Sequence, residues 1–246
     1  MSYMSKYLDV VNNIIEKIKK EEEKYQELAV KIVDCFEKDG LIFTFGSGHG
    51  HLLALEAFSR AGGLRRVCPI LDERLMLHVS ARASSTFEKT ENNAFEVFNE
   101  YDVNENDVVM IFSNSGLNAL IIETALLAKE RGALTIAVVN LAHCQALPAR
   151  HSNGLKLYEI CDYVLDTFGE LGDAAVDTSY NIAIGPTSTI AGSLIIHSLN
   201  ACITTEAEKR NFPLELLRSG NLPLDEENEK RKVMYFEKFK KRIKAL

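Results

Sequence analysis

Three short stretches of the chain combine glycines, hydroxyls and amides at spacings suited to holding an anion. The first, Gly46-Ser47-Gly48-His49-Gly50-His51, follows an apolar run and precedes a helix-like stretch. Three glycines in five residues permit unusual dihedrals and let backbone N–H groups approach a ligand closely, and the following helix points its positive end at the same place. The second is Phe112-Ser113-Asn114-Ser115-Gly116, with Asn118 just beyond. Two hydroxyls and an amide at a helix start can donate to phosphate oxygens beside unpaired backbone N–H groups, although Ser and Asn are equally ordinary in a turn and cap. The third, Ile184 to Gly192, places Pro186 at a position suited to a first helical turn. It adds Thr187, Ser188 and Thr189, more hydroxyls than a cap uses.

The elements that must position these loops are legible as a change of pattern at residue 41. Short apolar runs, Leu41 to Phe45, Val67 to Leu71, Asp107 to Phe112, Leu134 to Val139 and Tyr163 to Phe168, lack in-out alternation, as strands covered on both faces do. Helix-length segments separate them, with helices expected over His51 to Ala61, Asn92 to Glu100, Leu117 to Arg131 and Thr187 to Glu208. This alternation predicts a three-layer α/β/α fold, a doubly wound five-stranded parallel sheet. In the flavodoxin-like order 2-1-3-4-5, the first and third strands flank the switch point where ligands bind, so the first two loops face one crevice.

Residues 3–38 carry apolar positions at helical spacing, Leu8, Val11, Ile15 and Ile18, then Leu28, Val30, Val33 and Phe36, before Gly40. They read as two consecutive helices or one kinked helix. The more polar tail, residues 211–246, ends in KRKVMYFEKFKKRIKAL and is expected to hold a helix docked on the body. The expected organisation is therefore an N-terminal helical segment at 1–40, covering the body or a partner subunit, a main domain at 41–210 and a helical tail at 211–246.

Composition excludes several classes. The formal net charge of −7 opposes sequence-independent nucleic-acid binding. No apolar run approaches the roughly 20 residues needed to span a bilayer, and the N-terminus lacks the apolar core of a signal peptide, so a cytoplasmic protein without membrane contact is expected. The five cysteines, Cys35, Cys68, Cys144, Cys161 and Cys202, contain no C-x-x-C pair and read as small core residues in a reducing compartment. A dinucleotide fingerprint requires Gly or Ala where His51 stands, though Asp72 occupies the place of a ribose-binding acid and keeps that alternative open. No lysine follows the glycines as a nucleotide P-loop demands. His49 and His51 are two residues apart and have no third ligand nearby, so neither a metal site nor any other cofactor is expected.

The strand with a Gly-x-Gly loop, the strand with Ser113-Asn114-Ser115-Gly116 and the late Pro186-Thr187-Ser188-Thr189 helix start resemble the sugar isomerase (SIS) domain. The resemblance covers roughly residues 35–210. It implies a phosphorylated sugar held by Ser113, Asn114, Ser115 and Asn118, by Ser47, Gly48 and His49, and by the hydroxyls of Thr187 and Ser188. Relatives interconvert aldose and ketose phosphates, deaminate amino-sugar phosphates, cleave sugar ethers, or only sense the ligand. Members often carry Ser or Thr where this chain has His49-Gly50, which leaves part of the binding to backbone N–H groups or to a protonated His49. The resemblance also implies sites completed by a neighbour, hence a homodimer or larger homo-oligomer.

Aldose–ketose isomerisation moves a proton between adjacent carbons and needs a carboxylate or histidine base. Glu56, on the helix after the first loop, and His197, on the helix after the third, resemble the helix-borne acid and histidine of the heptose-phosphate isomerase branch. A lone histidine amid Leu194, Ile195 and Ile196 is, however, more often a buried structural residue than a catalyst. The polar segment Ser85 to Asn93 adds Glu88 and Glu91. Glu91 and Glu56 rank first as bases and His197 third.

Overall fold

The computed structural model describes residues 1–244. Two helices, α1 (Tyr3–Lys20) and α2 (Glu22–Glu37), precede β1 (Ile42–Gly46), α3 (His49–Glu56), β2 (Val67–Pro69), α4 (Leu77–Phe87), α5 (Ala94–Phe98) and β3 (Val108–Phe112). Then come α6 (Ala119–Glu130), β4 (Leu134–Val139), α7 (Leu141–Ala146), α8 (Leu157–Ile160), β5 (Tyr163–Asp166), the short strands β6 (Ala174–Val176) and β7 (Ile184–Pro186), α9 (Ser188–Lys209) and α10 (Glu226–Phe239).

The main sheet has the order β2-β1-β3-β4-β5, with every pairing parallel, the doubly wound arrangement that the patterning predicts. Alternate strand residues feed two cores. Phe43, Phe45, Val109, Ile111 and Val139 point toward α5, α6 and α10, whereas Ile42, Val108, Met110, Phe112 and Val138 point toward α2, α3 and α9. Because both faces are covered, the strands show no polar side, as a parallel sheet sandwiched between helix layers requires. Gly46 pairs with Phe112 in register, so the loops leaving β1 and β3 emerge side by side.

Several elements depart from expectation. The stripe on α1 that faces the body is Val11, Ile14 and Ile18, while Leu8 and Ile15 face solvent. Helix α3 stops at Glu56 rather than Ala61, because the chain turns at Ser59 with φ 49°. Helix α4 is unanticipated. Its residues are mostly exposed and weakly apolar, and its regular part begins after an extended Ser80, whose hydroxyl caps the amide of Ala83 at 3.2 Å. The antiparallel β6–β7 pair is too short to leave a strand pattern, and Tyr7 of α1 holds it by donating to the Pro186 carbonyl at 2.9 Å. All five cysteines are free; Cys68 and Cys144 are buried, and Cys35, Cys161 and Cys202 are partly buried.

Residues 211–244 return across the body, and the last two residues of the expected tail, 245 and 246, lie outside the described residues. Tyr235 and Phe239 of α10 are buried in the first core. Beyond them, the Arg242 guanidinium donates to Asp107, a fully buried carboxylate that also accepts the amides of Leu41 and Asn104, both at 2.8 Å. Burial pushes the Asp107 carboxyl upward against the pull of these donors. Removing the cation leaves a buried carboxylate short of a partner, which costs more than the pair contributes relative to an apolar replacement. Arg242→Met should therefore lower the unfolding free energy by about 2–4 kcal/mol in urea titration, and adding Asp107→Asn should recover part of that loss.

Candidate functional site

A cavity of about 520 Å³ opens beyond the carboxyl ends of β1 and β3. The turn after β1 supplies Ser47, Gly48, His49 and Gly50; the loop after β3 supplies Ser113, Asn114 and Ser115, with Asn118 behind them; Ser188 and Thr189 come from the start of α9. The residues expected to bind ligand thus converge on one space, apart from Thr187. Glu88 and Lys89 at the end of α4, Arg150 from the segment between α7 and α8, Thr167 after β5 and Asp173 before β6 complete the wall.

The turn after β1 needs its glycines for two reasons. Gly48 has φ 55° and ψ −123°, which side-chain-bearing residues rarely adopt. Gly46 and Gly50 are needed for close approach, since a β-carbon on either would lie 2.5 Å from backbone atoms of Gly50 and Phe112 respectively. Ser47 faces the cavity and its hydroxyl donates to the Glu88 carboxylate. His49 is exposed at the rim, whereas His51 is buried with Nδ1 3.2 Å from the Gly46 carbonyl. The two imidazoles do not converge, and among the described residues no three His, Cys, Asp or Glu side chains are grouped to hold a metal ion. Asp72, the candidate ribose partner, is engaged by Arg74 at 2.6 Å and caps the turn at 73–75.

The loop after β3 is fixed by its own backbone. The Ser113 amide donates to Val138 at 3.0 Å, and the Ser113 hydroxyl accepts the Gly116 amide at 3.1 Å, which leaves the hydroxyl proton free for a ligand. The Cys144 thiol donates to the Ser115 carbonyl at 2.8 Å from behind. Two buried polar atoms at the cavity wall, Asn114 Oδ1 and Thr167 Oγ1, have no protein partner. Buried polar atoms seldom stay unpaired, so both are available to a ligand or ordered water.

The start of α9 is arranged differently from the other two loops. The Asp173 carboxylate accepts the amides of Thr187 and Ser188 at 3.0 and 2.8 Å and the Ser188 hydroxyl at 2.7 Å. An anion belonging to the protein already occupies this helix terminus. Thr187 is fully buried against Asp173 and does not line the cavity, while Ser188 reaches its edge.

The three expected bases all lie outside the cavity wall. Glu56 and His197 do meet, with Oε1 and Nε2 2.9 Å apart, but on the surface where α3 and α9 touch. His197 is 43% exposed, not buried, because it lies on the helix face opposite Ile195 and Leu199. Partial burial raises the Glu56 carboxyl, but hydrogen bonds from His197 and Arg60 outweigh it and hold the group below the usual carboxylate range. Glu91 accepts the amide and hydroxyl of Ser152, each at 2.7 Å, and these bonds lower it. Asn92, at φ 70°, turns the chain there and carries Glu91 away from the cavity. Glu88, one turn earlier, is the carboxylate that enters. Recognising α4 as a helix ending at Phe87 is what separates these two glutamates.

Burial lowers His51 from its ordinary value near 6.5, and its Gly46 contact only partly compensates. With the folded value below the unfolded one, the unfolded chain binds more protons between them, so stability falls as pH drops below about 6.5. Burial moves His143 in the same direction. The difference in unfolding free energy between roughly pH 7.5 and pH 5.5 should shrink in His51→Gln, as read by urea titration at both pH values.

The profile of the SIS domain matches residues 6–140. A UPF0309 protein of Listeria innocua is 35% identical over 245 residues, covering 99% of this chain and 98% of that protein. A UPF0309 protein of Thermoanaerobacter pseudethanolicus is 37% identical over 246 residues, with 98% of each chain covered. Among solved structures, the phosphoheptose isomerase of Neisseria gonorrhoeae superposes with a TM-score of 0.52 at 16% identity, over 82% of this chain and 97% of that one, a likeness of fold.

Proposed function

The chain belongs to the SIS domain family, and on that footing we propose that it binds a phosphorylated sugar and interconverts its aldose and ketose forms by proton transfer. The observation that carries the proposal is the meeting, in one cavity, of the Ser113–Asn118 loop, the Ser47–Gly50 turn and the Glu88 carboxylate. The name of the Neisseria gonorrhoeae neighbour, a phosphoheptose isomerase, supports the same substrate class.

In this reading the phosphate sits on Ser113, Asn114 and Ser115 beside the N-terminus of α6, where hydroxyls and backbone N–H groups favour an anion. The sugar extends toward Glu88, with Asn114 Oδ1 accepting from its hydroxyls and Thr167 Oγ1 accepting from or donating to them. Glu88 removes the proton from the carbon beside the carbonyl to give an enediolate and returns it to the former carbonyl carbon, while the proton of the neighbouring hydroxyl passes to the former carbonyl oxygen. Asp173 is the other carboxylate on the wall, but its oxygens are committed to the start of α9. Glu56, held below the usual carboxylate range by two donors, lies outside the cavity wall. The Glu56–His197 pair is a second candidate on the strength of its 2.9 Å contact, and it would act only on a cavity brought to it by another copy of the chain. We also propose that such copies associate, since Tyr3, Met4, Leu8 and Ile15 leave an apolar face on α1 exposed.

Ser113→Ala with Ser115→Ala should weaken binding of hexose, heptose, pentose or amino-sugar phosphates by about tenfold or more in calorimetric titration. Glu88→Gln should retain that binding and slow solvent-deuterium incorporation into the bound sugar by about 100- to 10,000-fold. Exchange that survives in Glu88→Gln but vanishes in Glu56→Gln and His197→Ala would transfer the role to the surface pair, and tight binding without exchange in the native protein would make it a sensor.

A further inference from the structure

The phosphate-binding loop carries hydroxyls and amides but no formal charge, and a phosphate monoester bears about −1.5 to −2 near neutral pH. A cation is brought to it from elsewhere in the chain. Arg150 lies in the segment 147–156 between α7 and α8, and its Nη1 donates to Asn118 Oδ1 at 2.6 Å, immediately behind Ser113–Ser115. Its guanidinium lines the cavity and has no carboxylate within 4.0 Å among the described residues, so its remaining donors are open to a ligand. Lys89, the other cation on the wall, has its ammonium on the Ser85 hydroxyl at 3.0 Å, beside the Glu88 carboxylate end of α4.

The residues flanking Arg150 are anchored, which an exposed loop does not ordinarily require. His151 is only 12% exposed, and its Nε2 lies 3.4 Å from Glu123 and 4.0 Å from Glu91. Ser152 gives both its amide and its hydroxyl to Glu91. Glu123, on α6, also accepts the amides of Asn92 and Ala94, so one carboxylate ties the turn after α4 to the strap that bears Arg150. Two acids thus grip the residues on the C-terminal side of Arg150 while its side chain reaches the N-cap of α6.

We infer that Arg150 is the cationic ligand of the substrate's phosphate, and that Glu91 and Glu123 are positioning residues that hold its strap over the loop after β3 through Ser152 and His151. The inference deepens the proposed function and rests on it. A planar guanidinium offers paired N–H donors that match two phosphate oxygens, a geometry an ammonium does not reproduce. It also assigns Glu91 a role that its sequence context did not reveal, one exercised through Arg150 and not through the reacting carbons.

Calorimetric titration with inorganic phosphate and with the tightest sugar phosphate, at two ionic strengths, tests this in the full chain. Arg150→Gln should weaken both ligands by about 10- to 100-fold and flatten the dependence of Kd on salt, while Arg150→Lys recovers only part of the affinity. Glu91→Gln should weaken binding by a smaller factor, and adding it to Arg150→Gln should cause no further loss, a coupling that a general destabilisation would not produce. Unchanged affinity in Arg150→Gln, beside lost affinity in Ser113→Ala with Ser115→Ala, overturns the assignment of Arg150 and leaves the phosphosugar site standing. Additive losses in the Glu91 and Arg150 pair overturn the positioning role. No binding of any phosphate by the native chain overturns the site itself, and this inference with it.

Discussion

Backbone lies directly against backbone where the turn after β1 meets the end of β3, and the site depends on that contact. The Phe112 carbonyl oxygen sits 2.5 Å from where a β-carbon on Gly50 would stand, and Gly50 itself fills the corresponding place beside Gly46. Interiors are packed densely enough that an added methyl there must displace main chain, not a flexible side-chain end. The same closeness recurs behind α3, where Gly192 of α9 leaves room for Leu53. Sheet, α3 and α9 are therefore drawn together, and the two loops from neighbouring strands are left facing a single crevice.

Helix termini around that crevice are used in opposite ways. At α9 the favourable end is neutralised internally by Asp173, which fixes the approach of β6 and β7 and removes one negative charge from the cavity's effective balance. At α6 the N-cap residue Asn118 has its side chain turned to Arg150, and the loop before it stays open to the cavity. In a chain with a net charge of −7, the cavity wall thus sets two cations, Lys89 and Arg150, beside its two carboxylates, Glu88 and Asp173.

Much of this was legible in the sequence, for physical reasons that can be named. A strand covered on both faces must be apolar throughout, so the runs at Leu41–Phe45 and Val108–Phe112 stand out, and the Gly-x-Gly and Ser-Asn-Ser-Gly loops follow directly at their ends. Long-range pairing leaves no such mark. Nothing local to Asp173 says that it will cap a helix starting fifteen residues on, and nothing local to Glu91 says that Ser152 will fill its carboxylate. Helix α4 failed to register because its buried face is nearly absent, Ser84 being its one fully buried residue, and with the helix unseen Glu88 could not be told from Glu91. On α1 Val11 and Ile18 face the body as the helical period implies, but Ile14 takes the place expected of Ile15 and Leu8 is exposed, since Ile14 and Ile15 are equally apolar and only packing against the body distinguishes them.

The Asp107–Arg242 contact joins residues 135 positions apart, and that separation bears on how the protein is made. A ribosome delivers β1, β3 and Asp107 long before Arg242 emerges, and domains fold as units from the N-terminal side during synthesis. Until then the nascent sheet has to keep a carboxylate wet or protonated at the very place where β1 and β3 begin to pair. The tail therefore closes this end of the sheet last: the charge of the buried Asp107 meets its cationic partner only when Arg242, beyond the final helix, has been made.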